Sequence, residues 1–326
     1  MPTFADVKHA ARRIAETKLA ACTPVLRSDA LDDAAGSTVF VKAEALQTTG
    51  SFKIRGATNR LARLMPEQIN AGVVAFSSGN HAQGVARAAK HFRVPAVIVM
   101  PADAPTVKRD GVISDGAEVV AYDRDTESRE AIAARIAQER GAIVVPSFDD
   151  PDIIAGQGTA GLEFAQQVAA QGPPLDHLIC CTGGGGLISG IALAFEGLSK
   201  GTKIWAAEPL GHEDWTRSLA SGEIIENAVG TRSICDAILT PKPGDLTWAI
   251  GQSRLAGGLV VTDDDIRRAI RFAARTLKIV LEPGGAAALA VAVRGLPEAM
   301  QGSRVGIVAT GGNIDPAQLA EILSTA

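Results

Sequence analysis

The sequence predicts an α/β protein built from two doubly wound units, and three observations support this fold class. Short runs rich in Val, Ile and Ala alternate with segments of helical periodicity along nearly all of the 326 residues. Continuous apolar runs are typical of parallel strands that are covered by helices on both faces. The length of the chain allows one large or two medium-sized domains. In such a protein we expect a ligand to bind between the units, at the carboxyl ends of the strands.

The apolar runs predict eight strands. They cover residues 38–44, 72–78, 95–101, 117–123, 142–147, 177–184, 203–209 and 304–312. Helical periodicity is found over residues 80–92, 127–140 and 263–278, and the N-terminal segment 1–17 has the pattern of an amphipathic helix. Residues 147–158, SFDDPDIIAGQG, are predicted to form a hinge between the units, because four strand–helix steps precede them and the remaining strands follow.

Composition and charge argue against several classes of function. The net charge is −4, aromatic residues make up 4% of the chain, and basic residues are not clustered, so nucleic-acid binding is not expected. No apolar run reaches the roughly 18 residues of a membrane span. The N-terminus has no apolar signal core, so a cytoplasmic location is expected. The four cysteines show no C-x-x-C spacing, which argues against a structural metal or disulfide framework.

The most specific local motif is the run of four glycines Gly183, Gly184, Gly185 and Gly186, which follows a predicted strand and opens a predicted helix. Backbone N–H groups without side chains can converge on an anion at the positive end of a helix. The motif lacks the spacing of the common nucleotide-binding loops, so it predicts a mononucleotide-sized phosphate site. The alternative is a point where the backbone packs closely against another element.

Two further loops follow predicted strands, and one lysine lies in an unusual context. Residues 77–84, SSGNHAQG, could hold a carboxylate or form a plain helix N-cap. In residues 310–313, TGGN, the hydroxyl of Thr310 could bond a ring nitrogen. Lys53 lies between Phe and Ile just after a Gly-Ser turn, which allows a partly desolvated, reactive amine as well as a solvated helix lysine. Together these groups meet the requirements of pyridoxal phosphate acting on an amino acid.

The motifs GSFKIRGA, SSGNHAQGVA, GQGTAGLE, GGGGLISG, AAEP, EPGGAAALA and ATGGN occur in this order and span nearly the whole chain. With them the chain closely resembles the fold-type II pyridoxal phosphate enzymes of the threonine dehydratase, serine dehydratase and serine racemase group, which share the fold of the tryptophan synthase β subunit. The resemblance implies a large cofactor-binding domain of residues 1–65 and 150–326, a small mobile domain of residues 66–149, the cofactor between them, and a homodimer.

Carried over to this sequence, the resemblance makes Lys53 the Schiff-base lysine. It implies that Asn80 bonds the 3′ oxygen of the cofactor, that the glycine run binds its phosphate, and that Thr310 faces its pyridine nitrogen. A hydroxyl there cannot hold a proton on the ring as a carboxylate would, which favours elimination over transamination. The resemblance also places Phe52 and Glu282 at the cofactor. The substrate carboxylate would be bound by the loop Ser78, Gly79, Asn80 and His81.

The resemblance also implies a divalent cation. Relatives that are activated by a cation bind it after a strand that ends in Ala-Glu-Pro, with two carboxylates and a carbonyl. Here Glu208 and Asp214 match the carboxylates, and His212 would offer its carbonyl while its ring faces solvent. Hard oxygen ligands suit Mg²⁺ or Ca²⁺. The alternative is an acidic surface loop.

The predicted function is dehydration of a 3-hydroxy amino acid to a 2-oxo acid and ammonia, with L-threonine or L-serine first and 3-hydroxyaspartate close behind. Ser78 matches the serine that exchanges a proton in racemases of the group, so an amino-acid racemase is the alternative, and Ser78 could equally support the carboxylate loop. Arg129 could pair with a second carboxylate or be a solvated helix residue. Phe76 stands where the racemase-like and fungal hydroxyaspartate enzymes have histidine, which removes one polar contact and leaves specificity for an acidic substrate open. A third hypothesis is a protein that binds pyridoxal phosphate or an amino acid without turnover.

Overall fold

The computed structural model describes residues 1–77, 79–104, 106–123 and 125–325, without the side chains of residues 106 and 107. The strands of the described chain are β1 (Val25–Leu26), β2 (Thr38–Ala43), β3 (Val73–Phe76), β4 (Ala96–Pro101), β5 (Glu118–Tyr122), β6 (Ile143–Val144), β7 (His177–Cys181), β8 (Lys203–Pro209), β9 (Leu255–Val261) and β10 (Arg304–Ala309).

Helices connect these strands and cover both faces of the sheets. They are α1 (Phe4–Thr17), α2 (Asp29–Ala35), α3 (Lys53–Leu61), α4 (Pro66–Ala71), α5 (Asn80–Phe92), α6 (Thr106–Ser114), α7 (Arg129–Arg140), α8 (Pro151–Ala169), α9 (Gly186–Leu198), α10 (Asp214–Ser221), α11 (Asp245–Gly251), α12 (Asp263–Phe272), α13 (Pro283–Val293) and α14 (Pro316–Ser324). A π-helical turn, Ala273–Leu277, continues α12, so the helix predicted over residues 263–278 changes its hydrogen-bond pattern near its end. Within the described residues, no helix is both long and apolar enough to cross a membrane.

The strands form two sheets. The larger sheet has the order β1-β2-β10-β7-β8-β9, in which only β1 runs antiparallel to its neighbour. The smaller sheet has the order β5-β4-β3-β6 and is parallel throughout. Parallel neighbours cannot be joined by a tight hairpin turn, so these sheets require the crossover helices of a doubly wound fold. The predicted α/β class is therefore confirmed.

All eight predicted strands are present; the strand of residues 203–209 has the predicted bounds, the other seven are shorter than predicted, and two edge strands were missed. The missed strand β1 has only two residues, and β9 has the sequence LAGGLVV, in which two glycines interrupt the apolar run. Glycine inside a strand weakens the pattern from which a strand is recognised. Both strands lie at the edges of the larger sheet, where pairing to one neighbour suffices.

The hinge predicted over residues 147–158 is wrong, because most of that segment begins the long helix α8. The side chain of Asp150 caps the helix by accepting hydrogen bonds from two backbone N–H groups, and proline occupies the first helical position. The glycines of the segment serve close packing instead of flexibility. A Cβ atom on Gly158 would lie 2.6 Å from the carbonyl oxygen of Gly190 in α9.

The helix α3 connects the two layers of the fold. It packs between α8, which covers the larger sheet, and α5, which follows strand β3 of the smaller sheet. The approach to α5 is close, since a Cβ atom on Gly84 would lie 3.1 Å from the carbonyl carbon of Lys53. The first residue of α3 is therefore held where the carboxyl ends of both sheets meet.

Candidate active site

A cavity of about 370 Å³ opens between the two sheets, at the carboxyl ends of their strands. Its wall brings together the predicted lysine, the loop after β3, the glycine run after β7 and the end of β10. The predicted site residues on the described wall are Phe52, Lys53, Gly79, Asn80, His81, Arg129, Gly183, Gly184, Gly185, Gly186, Glu282 and Thr310. Ser78, predicted as a catalytic and substrate-binding residue, lies outside the described residues.

Lys53 is the first residue of α3, and its side chain forms part of the cavity wall. Its Nζ donates a hydrogen bond to the carbonyl oxygen of Ser147 at 2.7 Å and lies 5.2 Å from the ring centroid of Phe52. Burial lowers the pKa of Lys53 to about 8, and the negative charge of Glu282 opposes this shift. Near neutral pH a useful fraction of the amine is therefore uncharged, as a nucleophile or a base must be.

In the glycine run the backbone carbonyl groups accept hydrogen bonds from the protein, whereas the backbone N–H groups have no described partner. The carbonyl of Gly183 accepts from the indole N–H of Trp215 at 2.8 Å, and that of Gly184 accepts from the hydroxyl of Thr247 at 2.7 Å. The backbone N–H groups of residues 183–186 donate to no described protein group. They lie at the N-terminus of α9, where such donors and the helix dipole favour an anion.

Close packing explains why these positions are glycine. A Cβ atom on Gly184 would lie 2.5 Å from the ring of Phe148. Gly185 has a φ of +94°, and a Cβ atom there would lie 2.2 Å from Cζ2 of Trp215. The phosphate site and the close packing point, which were alternatives for the sequence, are compatible in the structure, because the ring behind each glycine leaves only the backbone facing the cavity.

Asn80 and Glu282 form a buried pair across the two sheets. Asn80 begins α5, and its amide donates to the carboxylate of Glu282, which precedes α13. The side-chain carbonyl of Asn80 accepts from Nδ2 of Asn313 at 2.7 Å. Burial raises the pKa of Glu282 to about 7, although the hydrogen bond from Asn80 opposes the shift. Glu282 therefore exchanges a proton near neutral pH.

His81 is buried in the wall of the cavity. Its Nε2 lies 2.9 Å from the carbonyl oxygen of Val145, which requires the proton on that nitrogen, and its Nδ1 has no partner among the described groups. Burial and the positive charge of Lys53 lower the pKa of His81 to about 3. The imidazole is thus neutral, and what the residue can offer to a substrate carboxylate is its backbone N–H at the start of α5.

Thr310 and Phe52 join the end of β10 to the start of α3. The backbone N–H of Phe52 donates to the carbonyl of Thr310 at 3.2 Å, and the neighbouring bridge between Ser51 and Gly311 continues this contact. Thr310 is 5% exposed and lines the cavity. The fold therefore fixes the distance between the reactive amine and the hydroxyl predicted to face a ring nitrogen.

Arg129 lies at the rim of the cavity. It is the first residue of α7, its guanidinium stacks 5.5 Å from the ring centroid of Phe76, and it pairs with Glu130 at 2.8 Å. Its side chain is 47% exposed. Arg129 is therefore partly solvated, as one interpretation of the sequence expected. It also lines the cavity and contacts Phe76, the residue that stands in place of histidine, as the other interpretation allows.

Glu208 is buried at the end of β8, and both of its carboxylate oxygens accept hydrogen bonds from the first residues of α10. It accepts hydrogen bonds from the backbone N–H of Trp215 at 2.9 Å and from the N–H and hydroxyl of Thr216 at 2.8 Å and 2.6 Å. Burial, and after it the negative charge of Asp214, raises the pKa of Glu208 to about 8. Two carboxylates that repel each other in a buried place would be stabilised by a cation.

Asp214 completes this pair, and His212 departs from the prediction. One carboxylate oxygen of Asp214 accepts from Asn227 at 2.7 Å, whereas the other is buried without a described partner. Burial raises the pKa of Asp214 to about 7. The ring of His212 was expected to face solvent, but the residue is 8% exposed and both ring nitrogens are buried without a described partner. Among the described side chains no group of three His, Cys, Asp or Glu could hold a metal, so a cation there would rely on carbonyls as well.

Several residues of the cavity were given no role from the sequence. Lys108 on α6 and Asp236, in a short 3-10 helix of residues 236–238, face each other across its mouth, and Phe148 and Trp215 back the glycine run. None of these residues lies in a motif that points to chemistry. Their proximity arises from contacts between segments more than one hundred residues apart, or from packing behind the loop.

Comparison with known proteins identifies the family of the chain. The sequence model of the family described as pyridoxal-phosphate dependent enzyme matches residues 17–311. An L-threo-3-hydroxyaspartate ammonia-lyase of Pseudomonas sp is 43% identical over 99% of each chain. A serine racemase of Schizosaccharomyces pombe is 39% identical over 99% of this chain and 98% of the relative. The structure of maize serine racemase is similar with a TM-score of 0.91 and 37% identity, over 98% of this chain and 96% of that one. Matched along almost its whole length in sequence and in fold, the chain belongs to the pyridoxal-phosphate dependent enzymes.

Proposed function

We propose that this chain is a pyridoxal phosphate-dependent ammonia-lyase that dehydrates a 3-hydroxy amino acid to a 2-oxo acid and ammonia. The observation that carries this proposal is the amine of Lys53, with a pKa of about 8, in a cavity between an anion-binding glycine run and the start of α5. L-threo-3-hydroxyaspartate is the favoured substrate, because the relative that is 43% identical acts on it by name. L-threonine and L-serine, which the sequence put first, follow it.

The residues of the cavity fit the cofactor. The unpartnered N–H groups of residues 183–186 would hold its phosphate, and Asn80 would bond its ring oxygen. Thr310 would face the ring nitrogen, and Phe52 and Glu282 would complete the surroundings of Lys53. When bound through Lys53, pyridoxal phosphate supplies an electron sink that stabilises negative charge at the substrate Cα.

Lys53 performs the proton transfer in this proposal. Its uncharged amine removes the proton from the substrate Cα, and burial makes this form available near neutral pH. The backbone N–H groups of the loop that includes Gly79 and His81 hold the substrate carboxylate, with the neutral imidazole adding no charge. The hydroxyl leaves Cβ as water, and hydrolysis of the resulting enamine releases ammonia and the 2-oxo acid.

The proposal is tested by incubating the cofactor-loaded protein with L-threo-3-hydroxyaspartate, L-threonine and L-serine. Ammonia and 2-oxo acid are expected in equal amounts, with the highest kcat/KM for 3-hydroxyaspartate. Lys53→Ala is the control, and its loss of turnover is expected to exceed about 10³-fold. Failure of all three substrates to release ammonia would contradict the proposal and favour a binding protein without turnover.

A second candidate function is an amino-acid racemase. Two similarities favour it: a serine racemase that is 39% identical in sequence, and a serine racemase structure with a TM-score of 0.91. The resemblance gives Ser78 the role of the proton donor on the face opposite Lys53. Ser78→Ala should then lower racemisation by about 10²-fold, while dehydration of L-substrates stays within about tenfold. Chiral chromatography beside the 2-oxo acid assay separates the two reactions. Equal loss of both would assign Ser78 to the carboxylate loop.

We also propose that Glu208 and Asp214, with the carbonyl of His212, bind Mg²⁺ or Ca²⁺. The buried, unpartnered oxygen of Asp214 and the proximity of two carboxylates support this. Either cation should raise the melting temperature of the parent protein, and Asp214→Asn should abolish the rise. A melting temperature that is the same with a chelator and with each cation would exclude the site.

The predicted arrangement of domains is part of the proposal. Residues 66–149 contain every strand of the smaller sheet, which supports a small domain that moves against residues 1–65 and 150–326. The homodimer and the cytoplasmic location stay predictions. So does the binding of a small amino acid without binding of nucleic acid or a membrane. Sedimentation of the purified protein would establish its oligomeric state.

A further inference from the structure

An ion pair crosses the mouth of the cavity between the two sheets. Nζ of Lys108, on α6 beside the smaller sheet, lies 3.0 Å from Oδ2 of Asp236, in the segment of residues 236–241 between α10 and α11. Both residues line the cavity. The pair is therefore a polar contact between the two halves of the molecule at the point where a substrate must enter.

Lys108 reaches the place where the substrate carboxylate is expected. Its Nζ lies 3.6 Å from the position that a Cβ atom on Gly79 would occupy, directly over the loop at the start of α5. Its charge also reaches the floor of the site, since it lowers the pKa of Glu282 while the charge of Asp236 raises it. Lys108 therefore lies next to the carboxylate loop and acts electrostatically on the buried carboxyl group of Glu282.

The two partners differ in how firmly they are held. Asp236 belongs to a segment packed against the glycine run and the start of α13: a Cβ atom on Gly183 would lie 3.1 Å from Cα of Ile238, and one on Gly284 would lie 3.1 Å from Cβ of Ala237. The carboxylate of Asp236 is nevertheless 56% exposed, whereas the side chain of Lys108 is 11% exposed. A half-exposed ion pair is weak, so another carboxylate can replace Asp236 on the lysine.

Arg129, the other cation at the rim, is less suited to this role. Its side chain is 47% exposed, it already pairs with Glu130, and its guanidinium stacks on Phe76. Lys108 is more deeply enclosed and lies over the carboxylate loop. A second carboxylate held inside the cavity would therefore pair with Lys108 and not with Arg129.

We propose that Lys108 is the specificity residue that binds the side-chain carboxylate of an acidic 3-hydroxy amino acid, and that this carboxylate takes the place of Asp236. With a neutral substrate the lysine stays on Asp236. The proposal rests on the ammonia-lyase function above and assigns its substrate class to one exchangeable ion pair. It also resolves the objection raised by Phe76, because the second carboxylate does not need the histidine that phenylalanine replaces.

The first test measures turnover of the cofactor-loaded parent, Lys108→Gln and Lys90→Gln. In Lys108→Gln the ratio of kcat/KM for 3-hydroxyaspartate over L-serine should fall roughly 10- to 100-fold, the effect of losing one charge-assisted hydrogen bond. Lys90, an exposed lysine of α5 that pairs with Asp115, is the matched control, and its variant should keep the ratio within about twofold. An unchanged ratio in Lys108→Gln would overturn the proposal.

The second test measures binding without turnover. Succinate carries two carboxylates at the spacing found in aspartate, and butyrate carries one on a chain of equal length. By calorimetry, Lys108→Gln should bind succinate at least about tenfold more weakly than the parent and butyrate within about twofold. Asp236→Asn should bind succinate several-fold more tightly, because the competing carboxylate is gone. If the parent binds succinate no better than butyrate, Lys108 has no such role.

The two tests separate the proposals from each other. Release of ammonia from no substrate, together with succinate binding that depends on Lys108, would reject the ammonia-lyase function and retain the dicarboxylate site. Turnover of 3-hydroxyaspartate that is indifferent to Lys108→Gln would retain the function and reject the site. The absorbance of bound cofactor, measured in every variant, excludes loss of folding as the cause of a change.

Discussion

Burial changes the chemistry of three ionisable side chains around the cavity. It lowers the pKa of Lys53 to about 8 and that of His81 to about 3, and it raises the pKa of Glu282 to about 7. In each case the charged form loses contact with water, so the neutral form gains. Near pH 7 the site therefore holds an amine that can lose its proton, a carboxyl group that can keep one, and a neutral imidazole.

The pKa of Lys53 predicts how the rate of cofactor uptake depends on pH. Only the uncharged amine attacks the cofactor aldehyde, so the rate at which cofactor-free protein gains absorbance should rise with pH and level off above about 8. An ordinary lysine would continue to gain rate toward pH 10. Reduction with borohydride and peptide mapping should then place the label on Lys53. A label on Lys42, which is buried in an ion pair with Glu163, would refute the assignment.

Arg55 stabilises the start of α3 from inside the protein. Its guanidinium, which is 0% exposed, bonds the carboxylate of Glu44 at 2.8 Å and 2.9 Å and that of Glu163 at 2.8 Å. Arg55→Met would leave the fully buried charge of Glu44 without its cation, so the free energy of unfolding should fall by about 3–5 kcal/mol. Arg135→Met, which removes an exposed pair with Glu139, should cost less than about 0.5 kcal/mol in the same urea titration. Equal losses of unfolding free energy in the two variants would mean that the buried ion pair contributes no more to stability than the exposed pair.

Among the elements, strands were easier to predict from the sequence than the connections between them. The eight strands with unbroken apolar runs were found, because burial on both faces selects Val, Ile and Ala at every position. The supposed hinge of residues 147–158 was misjudged, because glycine serves both flexibility and close packing, and only the neighbouring helix decides between them. Gly158 is glycine since α9 passes 2.6 Å from where its Cβ would lie.

The glycine run gives a prediction that separates crowding from backbone strain. Gly185→Ala places a Cβ atom 2.2 Å from Trp215 at a φ of +94°, whereas Gly230→Ala has a similar φ of +88° with open space around it. Both should lose about 1 kcal/mol from the left-handed backbone, but only Gly185→Ala should also displace the phosphate loop. Its cofactor occupancy, measured from absorbance after dialysis, should fall at least about tenfold. Similar occupancy in both variants would count against the phosphate site.

At the scale of the whole molecule, the part of the site that could be predicted is the part that is local in sequence. Lys53, Asn80, the glycine run and Thr310 lie in short motifs whose residue types are dictated by a turn or a strand end. Lys108 and Asp236 could not be found in this way. They are 128 residues apart, and neither carries a local signal until the two sheets are placed against each other.

The two-sheet arrangement predicts that the cofactor holds the smaller unit in place. Asn80 in α5 contacts Glu282 and Asn313 on the other side of the cavity, and a bound cofactor would add contacts to both sides. Removing the cofactor should speed amide exchange in α5 at least about tenfold, while α12, remote from the cavity, stays within about twofold. Hydrogen exchange with mass spectrometry measures both helices in one experiment. Equal acceleration would indicate loosening of the entire fold instead.

The tryptophan behind the glycine run gives the molecule an optical property. Trp215 is fully buried, its indole N–H donates to Gly183, and its ring lies 5.8 Å from that of Trp248. The remaining indole, Trp205, bonds His177 on strand β7. Pyridoxal phosphate absorbs at the wavelengths at which indole emits light, so two of the three tryptophans lie where a bound cofactor would quench their fluorescence. Emission from the unlabelled protein should therefore report the filling of the site in real time.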